Sequence, residues 1–169
     1  MRIQKDNIVI RSATTDDAIQ LNKWWNDGES LEDTINNIRN LEGKLSQLCI
    51  IEIDGKAVGE LSYRIKGDNA AYPGWKICDF TYQNKGYGSK IIMMLLEFLF
   101  TDETINSKFP IEKIIWNTML ENERAQYVYE TKIGARKVGI REGCWKDQNG
   151  QLRTAVDYEL SKEDFFNAR

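Results

Sequence analysis

Apolar and polar positions change period several times along the chain, and each change marks an element. Ile8-Val9-Ile10-Arg11 is a short β-rich run. Thr14, with Asp17 three residues on, reads as a capping box opening a helix through about Trp25, and a second helical stretch covers Leu31 to Asn40. Gln47 to Ile53 and Ala57 to Ile65 are strands joined at Asp54-Gly55, a hairpin signal because both residues tolerate positive φ. A strand around Trp75 to Phe80 follows. Ser89 to Phe100 is apolar on nearly all sides, which predicts a helix buried against the sheet. Ile114-Ile115-Trp116-Asn117 is the next strand, and Asn122 to Ala135 a helix of about three turns closing on Gly134. Lys137 to Trp145 and Arg153 to Leu160 are strands turned at Asn149-Gly150. The order β-αα-βββ-α-β-α-ββ predicts an α/β fold with a mixed, mostly antiparallel central sheet flanked by helices. No linker or repeat interrupts it, so one domain is expected over residues 1–169.

Between the strand at Trp75 and the apolar helix lies Gln83-Asn84-Lys85-Gly86-Tyr87-Gly88-Ser89. Two glycines one residue apart permit positive φ and a close backbone approach, and the following helix aims unpaired amides and its positive dipole end at an anion. Lys85 and Lys90 add charge at the same end. The stretch therefore reads as a cradle for a nucleotide diphosphate. It is not a G-x-x-x-x-G-K-[ST] loop, and Ile91 stands where G-x-G-x-x-G needs its third glycine. That residue argues against a dinucleotide-dependent oxidoreductase.

Asn122-Glu123-Arg124-Ala125-Gln126-Tyr127-Val128-Tyr129-Glu130-Thr131-Lys132-Ile133-Gly134-Ala135 is the second informative segment. Together the two segments resemble the GNAT superfamily of acyl-CoA-dependent N-acetyltransferases. There the first is the Q/R-x-x-G-x-G/A pyrophosphate loop, and the second the N-x-x-A-x-x-x-Y-x-K-x-G helix beside the pantetheine arm. The resemblance extends from Ile8 through the C-terminal pair of strands. Arg141-Glu142-Gly143 and the run Asp157 to Asp164 look like the branch containing ribosomal-protein N-terminal acetyltransferases and similar aminoglycoside and polyamine enzymes. The resemblance implies a GNAT-like fold, acetyl-CoA as cosubstrate and direct transfer to a primary amine in a ternary complex. The alternative from another class is a non-catalytic acyl-CoA sensor or interaction module of the same fold.

Composition narrows the chemistry. The chain has no histidine, which removes Ser-His-Asp and Cys-His catalysis and histidine-based zinc sites. Acid and base roles fall to carboxylates, tyrosine, lysine, water or backbone, and no metal is expected. A net charge of −3 without a basic stripe argues against a nucleic-acid partner. The longest apolar run, Ile91 to Leu96, is far short of a membrane span, and the N-terminal residues lack a signal peptide's apolar stretch. A cytoplasmic monomer or homodimer is expected. Cys49, Cys78 and Cys144 are odd in number, lack C-x-x-C spacing and lie in strand-like apolar contexts, so they read as buried free thiols.

Amide synthesis from a thioester needs a neutral amine, a donor for the carbonyl oxygen as it gains charge, and a proton for the departing thiolate. By resemblance the backbone amides from Asn84 to Ser89 hold the pyrophosphate, with Gln83 at the family's Arg/Gln position. Cys78 falls where the family strand offers its main chain to pantetheine and acyl carbonyl, so an N–H among Ile77, Cys78 and Asp79 is the expected oxyanion donor; Asp79 instead suits a cap on the strand-to-loop turn. Tyr129 occupies the family's general-acid position, seven residues after Asn122, and its other reading is a tyrosine packed on the sheet. Asn122 combines helix entry with a hydrogen bond to the pantetheine arm. Many relatives carry a glutamate on the strand before the loop, where this chain has Trp75-Lys76-Ile77-Cys78. Glu60 is the first substitute base, acting through water, and Glu142 the second. Trp24, Trp25, Asp27 and Glu29 combine aromatic faces with carboxylates, which suits a cationic acceptor amine. Adjacent tryptophans on one helix diverge, so one is expected in the core and the other half-exposed.

Overall fold

A computed structural model of the chain describes residues 1–147 and 149–168. The strands are β1 (Arg2–Lys5), β2 (Ile8–Ser12), β3 (Gln47–Ile53), β4 (Lys56–Ile65), β5 (Ala70–Ile77), β6 (Lys113–Met119), β7 (Arg136–Lys146) and β8 (Leu152–Ser161). The helices are α1 (Ala18–Trp25), α2 (Leu31–Arg39), α3 (Tyr87–Thr101), α4 (Glu103–Asn106), α5 (Glu123–Tyr127) and α6 (Lys162–Asn167). Among the described residues these strands form one sheet in the order β1-β2-β3-β4-β5-β6-β8-β7. The resolved ladders are antiparallel except β5 with β6, which pair in parallel at Ala70↔Lys113 and Ala71↔Ile114. Parallel pairing requires a long crossover, which the chain from α3 to α4 supplies.

The chain divides into two compact units. The first comprises Met1–Arg64 and Gly74–Met94. Ile8 and Ile10 of β2, Ile50, Ile51 and Ile53 of β3 and Leu61 of β4 form its buried centre, and α1 and α2 close it through Ala18, Leu21 and Ile38. Capping boxes mark the entry to this helical region. Thr14 and Asp17 form the predicted capping box ahead of a short 3-10 turn, and Ser30 and Asp33 form another at the entry of α2. Arg11 ties β2 to this region by pairing with Asp17 at 2.8 Å and Glu52 at 2.7 Å. The second unit, Ile65–Pro73 with Leu95–Arg169, has its core in Leu95, Leu99 and Phe100 of α3, Ile114 and Trp116 of β6, and Val156, Tyr158 and Leu160 of β8.

Four elements differ from the sequence pattern. Strand β1 has one apolar residue in four, too few for an alternation signal, and it forms through its ladder to β2 and a turn with Asp6 at φ 52°. Strand β5 begins at Ala70 rather than Trp75, although Pro73 interrupts the propensity. The short helices α4 and α6 rest on the caps Asp102 and Ser161, and α6 adds burial of Phe165 against Phe100, with ring centroids 5.3 Å apart. Among the described residues no helix is long and apolar enough to cross a membrane.

Candidate active site

The end of β5 and the start of α3, both in the first unit, build the glycine loop. The N–H groups of Cys78 and Asp79 converge on one acceptor, the Val58 carbonyl, at 2.8 and 2.9 Å, a bulge-like arrangement that ends the strand. Two of the three expected oxyanion donors, the Cys78 and Asp79 amides, are therefore already committed within the strand end. Asp79 caps the 3-10 turn Phe80–Tyr82, accepting from Thr81 N at 3.0 Å, and pairs with Lys56 at 2.7 Å. The Lys56 ammonium, with the Thr81 hydroxyl and amide, pulls its carboxyl down to about 2. Asp79 is thus a cap, the second of its two readings.

Gln83 turns inward. Its Nε2 donates to the Ile77 carbonyl at 2.8 Å, which ties the loop to the strand end and leaves anion contact to the backbone. Asn84 at φ 60° and Gly86 at φ 80° then make the tight turn. Helix α3 opens at Tyr87, so the amides of Tyr87, Gly88 and Ser89 have no acceptor within the helix. Nothing lies within 4 Å of where a Cβ would stand at Gly86 or Gly88, so the loop surface at these two residues is open. Ser89 Oγ braces the turn by donating to the Gly86 carbonyl at 3.2 Å. Lys56 of β4 and Lys85 of the loop sit 5.4 and 5.7 Å from the Tyr82 ring centre, so two cations flank the same ring.

The same strand end lines a cavity of about 460 Å³ within the first unit. Lys76 lines it from β5 and Cys78 from just beyond the strand, Glu60 from β4, and Trp24, Trp25, Asp27, Glu29 and Asn37 from the α1–α2 region. Asn26, in the left-handed conformation at the C-cap of α1, turns the chain into this segment. The acidic turn is braced from behind: Asp27 Oδ1 accepts from Glu29 N at 3.0 Å, Asn22 Nδ2 donates to the Glu29 carbonyl at 2.9 Å, and Asn37 Nδ2 donates to Glu29 Oε2 at 3.1 Å. Contrary to expectation neither tryptophan is core. Both are half-buried, with one flank on the cluster around Leu21 and Ile38 and another on the cavity, because a concave wall accommodates two diverging rings.

Glu60 is half-buried, and burial pushes its carboxyl above the usual 4.5, with Lys76 offsetting part of the rise. Its neighbour Gly59 explains how close the two strands lie. A Cβ there would stand 2.2 Å from the Lys76 carbonyl oxygen, so only glycine fits. Burial also lifts the Cys78 thiol to about 11 and the Cys49 thiol to about 12, and both stay neutral at neutral pH. The three cysteines are free, but only Cys49 is buried as expected. Cys78 is half-buried and Cys144 is exposed on β7, a strand whose residues are nearly all in solvent, so apolar neighbours in sequence did not bury it.

Glu60 carries a linkage prediction. A carboxyl with a raised folded pKa binds more protons folded than unfolded, so its contribution to stability falls as pH rises from 4.5 through the folded value. Glu60→Gln lacks that loss. Thermal melts from about pH 4 to about pH 7 are expected to show the variant gaining on the wild type as pH rises and melting higher at the upper end; a variant that loses ground to the wild type as pH rises would contradict the burial of this carboxylate.

The second unit holds the other motif. Asn122 caps α5, its Oδ1 accepting from Ala125 N at 3.2 Å, as the sequence predicts. Tyr129 is buried and edge-on to two rings, Trp116 at 5.6 Å and 89° and Tyr158 at 5.3 Å and 74°. The helix is not regular. Val128–Ile133 is a π-turn, closed by Gly134 at φ 77°, with Gly134 N–H and Ala135 N–H both donating to the Tyr129 carbonyl. The chain explains this: two residues separate Tyr129 from Lys132 where the family pattern has one, so the match of this segment is imperfect, and the wider turn absorbs the extra residue. Glu142 lies exposed on β7. Sequence reasoning did not assign Lys76 or Asn37 to a site. Lys76 was within reach, because residues two apart on a strand share a face with Cys78.

A family model described as Acetyltransferase (GNAT) family matches residues 13–135, most of the chain. The chain belongs to the GNAT acetyltransferase family. This GNAT chain also shares its fold with solved structures of low sequence identity. A dodecameric spermidine N-acetyltransferase from Vibrio cholerae superposes with a TM-score of 0.82 at 16% identity, covering 97% of this chain and 99% of that one. A ribosomal-protein-S5-alanine acetyltransferase from Vibrio fischeri gives 0.78 at 16%, covering 98% of each. RimL, a ribosomal L7/L12 alpha-N-protein acetyltransferase in complex with coenzyme A, gives 0.78 at 17%, covering 97% and 99%. A search of curated protein sequences gave no match to the GNAT chain.

Proposed function

We propose that the protein is a cytoplasmic, acetyl-CoA-dependent N-acetyltransferase, residues 1–169 acting as one catalytic domain, that transfers acetyl directly to the primary amine of a cationic small molecule, with a peptide N-terminus as the second acceptor class. One observation carries this reading. A single strand end supplies both halves of the chemistry: Cys78 lines an acidic, tryptophan-walled cavity, and the loop tied back to Ile77 by Gln83 presents helix-end amides for an anion. These amides and the positive φ at Gly86 fit a diphosphate.

In this reading the backbone of Asn84 to Ser89 binds the diphosphate of acetyl-CoA, the Ile77 N–H serves the acyl carbonyl and Asn122 the pantetheine arm. Glu60 accepts the proton of the attacking amine through water, its raised pKa bringing it nearer the working range of a base. Glu142 is the second choice. Tyr129 gives a proton to the departing thiolate. Asp27 and Glu29 hold the cationic part of the acceptor over Trp24 and Trp25. The named neighbours, one acting on spermidine and others on ribosomal proteins, are compatible with either acceptor class.

The test is thiol release from acetyl-CoA against polyamines, aminoglycosides, amino acids and N-terminal peptides. Turnover on polycations is expected; release with no acceptor in the panel, despite acetyl-CoA binding, would favour an acyl-CoA sensor. Asp27→Asn with Glu29→Gln keeps the bracing oxygens and removes the charge. It is expected to raise the acceptor KM about tenfold for polycations, less for neutral amines, at unchanged acetyl-CoA affinity. A protein that acetylates neutral peptide N-termini and ignores every polycation would sink this acceptor assignment.

A further inference from the structure

We propose that Glu130 and Tyr158 are positioning residues for Tyr129, an inference that rests on reading Tyr129 as the general acid. Tyr158 is fully buried on β8, yet its hydroxyl donates to Glu130 Oε1 at 2.7 Å, 28 residues away in sequence. Glu130 is itself exposed, so its carboxylate is hydrated on one side and fixed by a buried phenol on the other. Burial and this bond both hold the Tyr158 phenol in its protonated, donating form.

The bond ties the π-turn that carries Tyr129 to β8. The Tyr129 carbonyl is pinned by Gly134 and Ala135, which fixes the backbone, and its ring stands edge-on against the Tyr158 ring at 5.3 Å, which fixes the side chain. Tyr158 stacks in turn on Trp116, at 6.3 Å and 20°. Releasing Tyr158 from Glu130 frees a ring that contacts both Tyr129 and Trp116. A small displacement of a proton donor lowers the chemical step without touching ligand affinity.

Steady-state kinetics on four variants test this, with thermal melts confirming folding. Tyr158→Phe keeps the ring and removes the hydroxyl; it is expected to lower kcat about three- to tenfold at unchanged acetyl-CoA KM. Glu130→Ala, at an exposed position that tolerates truncation, should match it. Glu130→Gln still offers an acceptor oxygen and should restore most of the rate. In a Tyr129→Phe background, Tyr158→Phe should add nothing. Wild-type kcat in Tyr158→Phe and Glu130→Ala, while Tyr129→Phe alone is slow, would overturn the positioning role and leave the acid intact. Losses that multiply in the double variant would overturn it too, because Tyr158 would then act independently. Wild-type turnover in Tyr129→Phe would remove the acid assignment itself, and the inference with it.

Discussion

Gly86→Val is expected to give a folded protein that acetyl-CoA no longer stabilises. The wild type should gain about 2.7 kcal/mol at a ligand concentration one hundred times Kd, a shift of several degrees for a chain of this size. Gly86 lies at φ 80°, where a β-branched residue costs on the order of 1–3 kcal/mol in the native backbone, so the loop would leave this conformation. No protein atom stands in the way of a Cβ, so the damage is confined to the turn and to whatever approaches it. Gly88 supplies the control. Its φ is not positive and its Cβ would also meet nothing, so Gly88→Ala should leave the unliganded protein unchanged, and any lost affinity there reports contact with ligand alone. Differential scanning fluorimetry with and without acetyl-CoA separates the cases. A normal thermal shift in Gly86→Val would mean that the diphosphate is held elsewhere.

Tyr129→Phe should lower kcat roughly ten- to a thousandfold, the range for losing a positioned proton donor. Its ring contacts with Trp116 and Tyr158 survive the change, so folding and acetyl-CoA binding should survive as well. The thiol of a departing coenzyme has a pKa near about 8.5, which places the effect toward the lower end, since water can protonate part of the thiolate unaided. Pre-steady-state thiol release, with acetyl-CoA affinity measured separately, checks it. Parallel loss of affinity and rate would make Tyr129 a packing residue.

The sequence was most legible where local chemistry is self-sufficient. Thr14 with Asp17, Asp54-Gly55, Asn122 and Gly134 sit at the ends of the elements they were expected to bound, because caps and turns are satisfied within a few residues. Strand β1 was missed for the opposite reason: nothing in Arg2-Ile3-Gln4-Lys5 favours a strand until β2 provides a ladder. In the candidate site, the carboxylates and tryptophans of the acidic turn were visible as residue types, but their convergence on Glu60, Lys76 and Cys78 depends on strand pairing that no local pattern encodes. The commitment of Cys78 and Asp79 amides to Val58 was equally hidden, since a backbone donor leaves no mark in the sequence.

The extra residue in the π-turn changes how this chain can be lined up with its relatives. Counting forward from Asn122, the family pattern places its acid at Tyr129; counting back from Gly134, the same pattern places it at Glu130. The two anchors disagree by one because the turn holds one residue more than the pattern does. The two side chains stand in different surroundings: Tyr129 faces the aromatic core, and Glu130 is exposed and bonded to Tyr158. On the proposed reading, a numbering transferred from the helix end would mutate the carboxylate bonded to Tyr158 and leave Tyr129 in place, so a test of the acid has to be anchored at Asn122.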